Sequence, residues 1–424
     1  MNLSDEHKSE MTNSSNSSIE LLAPVGGIEQ LQAAINFGAD AVYLGLDRFS
    51  MRAKAENFTF ENLPQAIELA HNKGVKVHVA INTQMHESDI SELPLFFKNA
   101  QDAGADALIV GDLGAMALAK KFAPDVDLHV STQSAVANSK TANVFYEMGA
   151  KRVVLARELT LDEIATLHSN VPKDLEIEVF VHGAQCMAQS GRCLISSYLC
   201  HGRSANEGAC TQPCRWGFRI EEEKRPGQKM DVEEAGGLTY LFNAKDLCMI
   251  DHLGELKEAG VDSIKIEGRN KKAFYVATVV NAYRRVLDGE DPKNVLSELE
   301  CVSHRPFSTG FYYGTPEQSM DFDGYTQQTL HVADVLECSK FGSSYQLKIR
   351  CRNKILDGEE LEALTPGKIV ENVRLTEFSW CENKQEEVNR PGEIYIVLSN
   401  KEVAQNSFLR KRVDLTTSRC KVVV

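Results

Sequence analysis

The chain has 424 residues, 43% of them hydrophobic and 25% charged, an ordinary globular composition that exceeds what one core usually holds, so two domains or one large barrel with an appendage are expected. A formal net charge of −14 repels a polyanion on average and leaves only a local patch for one. The longest apolar runs, VKVHVAIN and LEIEVFVHG, are strand-sized and fall far short of the roughly 20 residues that span a bilayer, so no membrane segment is expected.

Residues 1–18, MNLSDEHKSEMTNSSNSS, are polar and lack the charged-then-apolar plan of a secretion signal. They read as a disordered tail, and the compartment expected is the cytoplasm. Beyond them one unit recurs: NFGADAVYLG (36–45), DAGADALIVG (102–111), EMGAKRVVLA (147–156) and EAGVDSIKIEG (258–268). Each is a helix end closed by Gly and followed by a short β-branched strand, the αβ junction of a parallel α/β protein.

Strands are expected near 20–24, 41–45, 76–82, 107–112, 127–133, 152–157, 176–183 and 263–268, and helices near 28–38, 61–74, 91–104, 113–122, 139–148, 160–169, 247–258 and 272–288. A doubly wound sheet fits this alternation too, but eight strands and eight helices within residues 19–305 favour a closed (β/α)8 barrel. Strands buried on both faces should be apolar throughout. Several here instead alternate: His78 and Asn82, then His129, Ser131 and Gln133, then Glu178 and His182, then Lys265 and Glu267 fall between apolar neighbours. If the apolar set faces the outer helices, the polar set points into the barrel, and its carboxyl-end members form a polar mouth. His182, Lys265, Glu267 and Arg269 are the catalytic candidates, although any one of them could serve only an internal polar network.

A long insertion, 184–246, follows the seventh strand and so emerges on that mouth. Residues 306–330 read as a linker. From 331 to 424, alternating segments (YQLKIRCR, EIYIVLS, CKVVV) between Gly- and Pro-bearing turns indicate a small antiparallel β-barrel domain.

The insertion carries five of the eleven cysteines, Cys186, Cys193, Cys200, Cys210 and Cys214, and Cys248 follows. In a reducing compartment clustered thiols bind metal more often than they pair. A structural zinc usually takes two close C-x2–4-C pairs, and only Cys210 and Cys214 make one. Four thiolates from a glycine-bearing loop can instead hold an iron–sulfur cluster. Cys186, Cys193, Cys210 and Cys214 are the preferred four, with Cys248 in reserve. Cys200 and Cys248 sit in apolar segments where Cys behaves as a small hydrophobe. His182 and His201 flank the thiols, yet nothing marks one sulfur as a nucleophile. H-E-x-x-H, G-x-S-x-G and the nucleotide-binding glycine motifs do not occur.

EVFVHGAQCMAQSGRCLISS, with ELLAPVGG, GADAVYLG, GRSANEGACTQPCRW and IKIEGRNK in the same order, closely resembles the conserved blocks of the collagenase-like peptidase family over about residues 19–315. The segment from 330 resembles that family's carboxyl-terminal β-barrel. Despite its name, the resemblance implies oxygen-independent hydroxylation of tRNA uridine, ribosomal RNA cytidine or quinone precursors with a 4Fe-4S cluster. Length and the CRW block are most similar to the bacterial tRNA 5-hydroxyuridine synthases, which implies prephenate as co-substrate, the tRNA anticodon loop as partner and a paralogous protein as a further subunit. Carried over, Cys186, Cys193, Cys210 and Cys214 match the family's cysteines. Arg203, Arg215, Arg219, Lys271 and Lys272 would meet phosphates. A collagenase-like peptidase, a ribosomal RNA hydroxylase and a zinc-stapled RNA-binding protein remain as alternatives.

Overall fold

The computed structural model describes residues 19–51, 56–186, 188, 193–200, 203–206, 208–218, 220–221, 229–230, 239–240, 244–316 and 325–413. The expected amino-terminal tail, Arg219 and the expected last strand CKVVV lie outside these residues.

Seven parallel strands run in chain order, β1 (Glu20–Pro24), β2 (Ala41–Gly45), β3 (Lys76–Ile81), β4 (Ala107–Val110), β5 (Asp127–Val130), β6 (Ala150–Val154) and β7 (Glu176–Ala184). After β8 (Asp246–Cys248), β9 (Ser263–Ile266) inserts between β7 and β1 and closes an eight-stranded barrel. The helices around it are α1 (Ile28–Asn36), α2 (Leu63–His71), α3 (Leu93–Asp102), α4 (Leu113–Phe122), α5 (Ser139–Glu147), α6 (Leu161–Ser169), α7 (Leu253–Glu258) and α8 (Ala273–Leu287).

The recurring sequence unit has a physical basis at both of its ends. Gly38 and Gly104 adopt φ of +97° and +92° directly after α1 and α3, a left-handed turn that a β-carbon disfavours. Two residues on, Asp40 accepts the backbone N–H of Leu21 (2.8 Å), Asp106 that of Val77 (2.7 Å) and Asp262 that of Ile177 (2.8 Å). Each Gly-x-Asp thus ends a helix and ties the following strand to the start of its neighbour. Side-chain caps start other helices: Asp112 accepts from Ala115 N–H, Asn138 from Thr141 N–H, and Thr160 with Glu163 forms a capping box.

One expected element differs. The segment predicted as a helix over 247–258 begins as β8, antiparallel to the end of β7, then makes a 3-10 turn at Ile250–His252 before α7. A short apolar run such as DLCMI suits a buried strand as well as a buried helix. Pairing decides here: Asp246 stands opposite Ala184 and bonds Arg305 (2.8 Å), which fastens β10 (Phe307–Ser308) alongside β8.

The second unit is antiparallel, with β11 (Thr329–Phe341), β12 (Ser344–Cys351), β13 (Glu360–Leu364), β14 (Glu371–Trp380), β15 (Ile394–Ser399) and β16 (Phe408–Arg412). Its order β13-β16-β11-β12-β15-β14 closes through β13–β14 pairing into a small barrel. Phe408 packs with Phe37 and Phe274 in the large core, and Gly367 N–H donates to Asn281 (2.9 Å). Nearly every residue of α8 is therefore buried, since it lies between the two barrels. Among the described residues no helix is long and apolar enough to cross a membrane.

Candidate active site

The polar strand residues divide into two sets along the barrel axis. At the amino end Arg152 is the hub of an ion network, 2.5 Å from Glu20, 2.7 Å from Glu176 and 3.0 Å from Glu178. Glu178 also binds Lys265 (2.8 Å), and Ser263 donates to Glu20 (2.9 Å). Burial alone would raise the Glu20 carboxyl, but the Arg152 bonds hold it down at about 2. His78 and His129 pack edge to face, 4.8 Å apart, above this network. Burial pushes His78 down to about 4, Glu20 and Glu178 pulling against it and Arg152 and Lys265 with it. Both imidazoles are thus neutral at ordinary pH. Their Nδ1 atoms are buried without a hydrogen-bond partner among the described residues. This end is packed and closed.

At the carboxyl end the second set opens into space. A small cavity of about 50 Å³ is lined by Asn82, Ser131, Gln133, Lys265, Glu267 and Arg269, among others. It adjoins a larger one of about 400 Å³, with Met51, Thr132, Gln133, Arg157 and Glu267 common to both. Lys265 joins the two sets. Its ammonium binds Glu178 below and lies 4.3 Å from the Tyr43 ring. Burial lowers its pKa, and Glu178 opposes that. Arg269 donates to Ser50 (2.6 Å) across Gly45, where a β-carbon would stand 2.5 Å from the guanidinium. Only glycine leaves that approach open.

His182 lies elsewhere. Between β7 and β9 the register shifts, Phe180 facing Lys265 and His182 facing Ile266, so one extra residue on β7 reverses the alternation, as a bulge does. Phe180 lines the small cavity. His182 packs instead against Tyr275 and Tyr283 of α8 and Phe307 of β10, and burial pushes its pKa down to about 3. It lines neither cavity.

All four preferred cysteines, Cys186, Cys193, Cys210 and Cys214, line the larger cavity. Burial raises the Cys214 thiol, Arg215 opposes this, and Cys186, Cys210 and Cys193 each add to it, so all three lie near Cys214. Backbone N–H groups of Ile195 and Gln212 donate to Cys193 Sγ (3.4 Å) and Cys210 Sγ (3.3 Å), bonds that tune a cluster thiolate. Among the described residues no three His, Cys, Asp or Glu side chains converge as the ligands of a single metal ion. In a four-iron cluster each thiolate takes a different iron, so its ligands surround a volume and not a point. An open cavity edged by four thiols and amide donors fits that group better than a closed tetrahedral zinc site, whose sulfurs must all lie about 2.3 Å from one ion. Cys200 and Cys248 do not line the cavity. Cys200 accepts from Thr211 (3.4 Å), and burial pushes the Cys248 thiol up to about 11.

The insertion is tied down at several points. Ser196, fully buried, accepts the Thr211 N–H (3.0 Å), and Asn206 exchanges two hydrogen bonds with the Gln84 backbone beyond β3. The remaining wall carries three cations, Arg157, Arg215 and Lys271, and two carboxylates, Glu158 and Glu267. Arg157 stacks 3.9 Å above Phe180 and donates to Ala184 O (3.1 Å). Arg215 donates to Gln185 O (2.8 Å), and Lys271 to Ser303 O (3.1 Å). Burial pushes both below their ordinary values, with Arg305 adding to the effect. Arg203 donates to Ala209 O (3.0 Å) and does not line the cavity, and neither does Lys272. Sequence reasoning passed over Arg157, although it is the last residue of the strand predicted over 152–157, where carboxyl-end residues face the mouth.

A family model described as peptidase family U32 matches residues 26–321. The chain is 34% identical to tRNA hydroxylation protein P1 of Bacillus subtilis, over 92% of this chain and 94% of that one. It is 45% identical to a protein of Methanocaldococcus jannaschii named as an uncharacterized protease, over 72% and 75%. It is 37% identical to a 23S rRNA 5-hydroxycytidine synthase of Escherichia coli, over 64% of this chain and 39% of that one.

Proposed function

From a chain that belongs to peptidase family U32 and gathers four thiols on the mouth of a barrel, we propose an RNA hydroxylase, acting in the cytoplasm on the wobble uridine of tRNA to make 5-hydroxyuridine, with prephenate as co-substrate. The cavity holding Cys186, Cys193, Cys210 and Cys214 beside Glu267 and Arg157 carries this reading. Relatives named for tRNA and ribosomal RNA hydroxylation support it.

Those four cysteines would hold a 4Fe-4S cluster, which when bound supplies the redox chemistry that no side chain of this chain can. The rest is the protein's own work. Asn82, Gln133, Lys265, Glu267 and Arg269 present donors and acceptors to the edge of a base drawn out of an RNA loop, where bases are already unpaired. Arg157, Arg215 and Lys271 offer positive charge to the carboxylates of the co-substrate or to a phosphate. Their partial burial strengthens such pairs by keeping water away.

The peptidase reading has less behind it. A cysteine peptidase needs imidazole beside its thiolate; among the described residues no histidine lines the cavity, and His201 lies outside them. Nucleoside mass spectrometry of RNA from strains with and without the gene tests the proposal. Loss of 5-hydroxyuridine and its derivatives from tRNA, restored by the wild-type gene and not by Cys193→Ser, is the expected result. A change confined to ribosomal RNA would move the substrate, and unchanged nucleosides in both would refute the proposal.

A further inference from the structure

Exposed apolar side chains concentrate on the insertion. Leu194, Ile195, Tyr198, Leu199 and Trp216 fall within 23 residues, with Tyr198 85% and Leu194 80% exposed. Leu194 and Tyr198 are four apart along the short helix Ile195–Leu199, as are Ile195 and Leu199, so each pair shares a face. That helix packs on the turn Pro213–Arg215 that precedes Trp216, and Ser196 locks the two together through Thr211. The patch is therefore anchored from beneath while these apolar side chains stay exposed. Ile195 and Arg215 belong to the cavity wall, so patch and cavity are continuous.

We propose that this surface stacks the unpaired RNA bases next to the nucleotide that enters the cavity, with Tyr198 and Trp216 as the aromatic faces. The inference rests on the RNA-modifying reading above and adds how the loop is held. Charge supports this occupant: the chain carries −14 overall, yet on the adjoining cavity the cations Arg157, Arg215 and Lys271 outnumber the carboxylates Glu158 and Glu267. A local reversal of sign beside exposed aromatic rings is what single-stranded nucleic acid requires. A second copy of the chain fits less well, because a two-fold contact there would bring the same cations face to face.

The test uses full-length protein purified anaerobically, and measures binding of a fluorescent anticodon stem-loop beside a fully paired duplex of equal length. One stacked base is worth about 1–3 kcal/mol, so Tyr198→Ala with Trp216→Ala, which removes two stacking faces, should weaken stem-loop binding by at least about thirtyfold. Duplex binding, iron content and Tm should stay the same, and Tyr198→Phe with Trp216→Phe should restore affinity. Stem-loop binding unchanged in the alanine pair would overturn the stacking surface and leave the hydroxylase reading standing. So would wild-type dimers that the alanine pair splits, since the occupant would then be a second copy. Wild-type protein that binds no RNA would overturn both.

Discussion

The two ends of the barrel are built from the same alternating strands, and they do opposite things with polar side chains. At the amino end Glu20, Glu176, Glu178 and Lys265 close on Arg152, so that buried charge meets buried charge. At the carboxyl end Arg157, Arg215 and Lys271 each donate to a backbone carbonyl, and with Glu158 and Glu267 on the same wall they leave a small excess of positive charge. Paired charge supports a fold, while uncancelled charge on a cavity wall is available to a ligand. Lys265 spans the two, anchored below and lining the cavity above.

This contrast can be broken from either side. The largest effect is expected at the thiols, where Cys193→Ser or Cys214→Ser should abolish iron binding and hydroxylated product together, as read by metal analysis and nucleoside mass spectrometry. Retention of full iron in either variant would remove that residue from the ligand set. Next comes the closed end. Arg152→Leu strands carboxylates that are fully or largely buried and should cost about 3–5 kcal/mol, seen as a large drop in the denaturant midpoint. An unchanged midpoint would mean that the network holds nothing together. At the open end, Arg157→Ala or Lys271→Ala should lower kcat/KM by about ten- to a hundredfold, roughly the loss of one charged hydrogen bond of 1.5–3 kcal/mol. Their denaturant midpoints should move much less than that of Arg152→Leu, and a shift as large would place them in the fold's support instead.

The smallest effect is a pH dependence of the closed end. His78 titrates at about 4 in the folded chain against an ordinary 6.5, so on acidification the unfolded chain takes the proton first. Stability should fall as pH drops from about 6.5 to about 4. Glu20, lowered to about 2 from 4.5, stabilises above 4.5 and loses that contribution as pH falls toward 2. His78→Gln should flatten the Tm profile in the upper window only in part, because His129 and His182 are depressed as well, and should shift the lower window slightly, since His78 helps hold Glu20 down. Equal slopes in the two proteins would contradict this.

Much of the architecture can be read from local pattern because it is made locally. The Gly-x-Asp unit writes a helix stop and a strand tie into three adjacent residues, and period-two alternation shows that polar side chains enter the barrel, beside the apolar cluster of Leu22, Ala41, Tyr43, Ala80 and Ile109. What alternation cannot show is a change of phase. The bulge between Phe180 and His182 depends on how β7 meets β9, 80 residues later, and it sends His182 into the layer under α8. The start of β8 is hidden for a similar reason, since its strand character comes from pairing with β7. Spacing and setting single out four thiols from six, and the structure places those four on one cavity with Cys200 and Cys248 off it. Arg157 escaped notice because a single residue at the end of a strand carries no periodic signal.

The central claim is that Cys186, Cys193, Cys210 and Cys214 together hold one inorganic cluster. Iron and acid-labile sulfide measured in anaerobically purified protein test it most directly: the account predicts about four of each per chain. One zinc with neither iron nor sulfide, in protein that still hydroxylates its RNA, would contradict it.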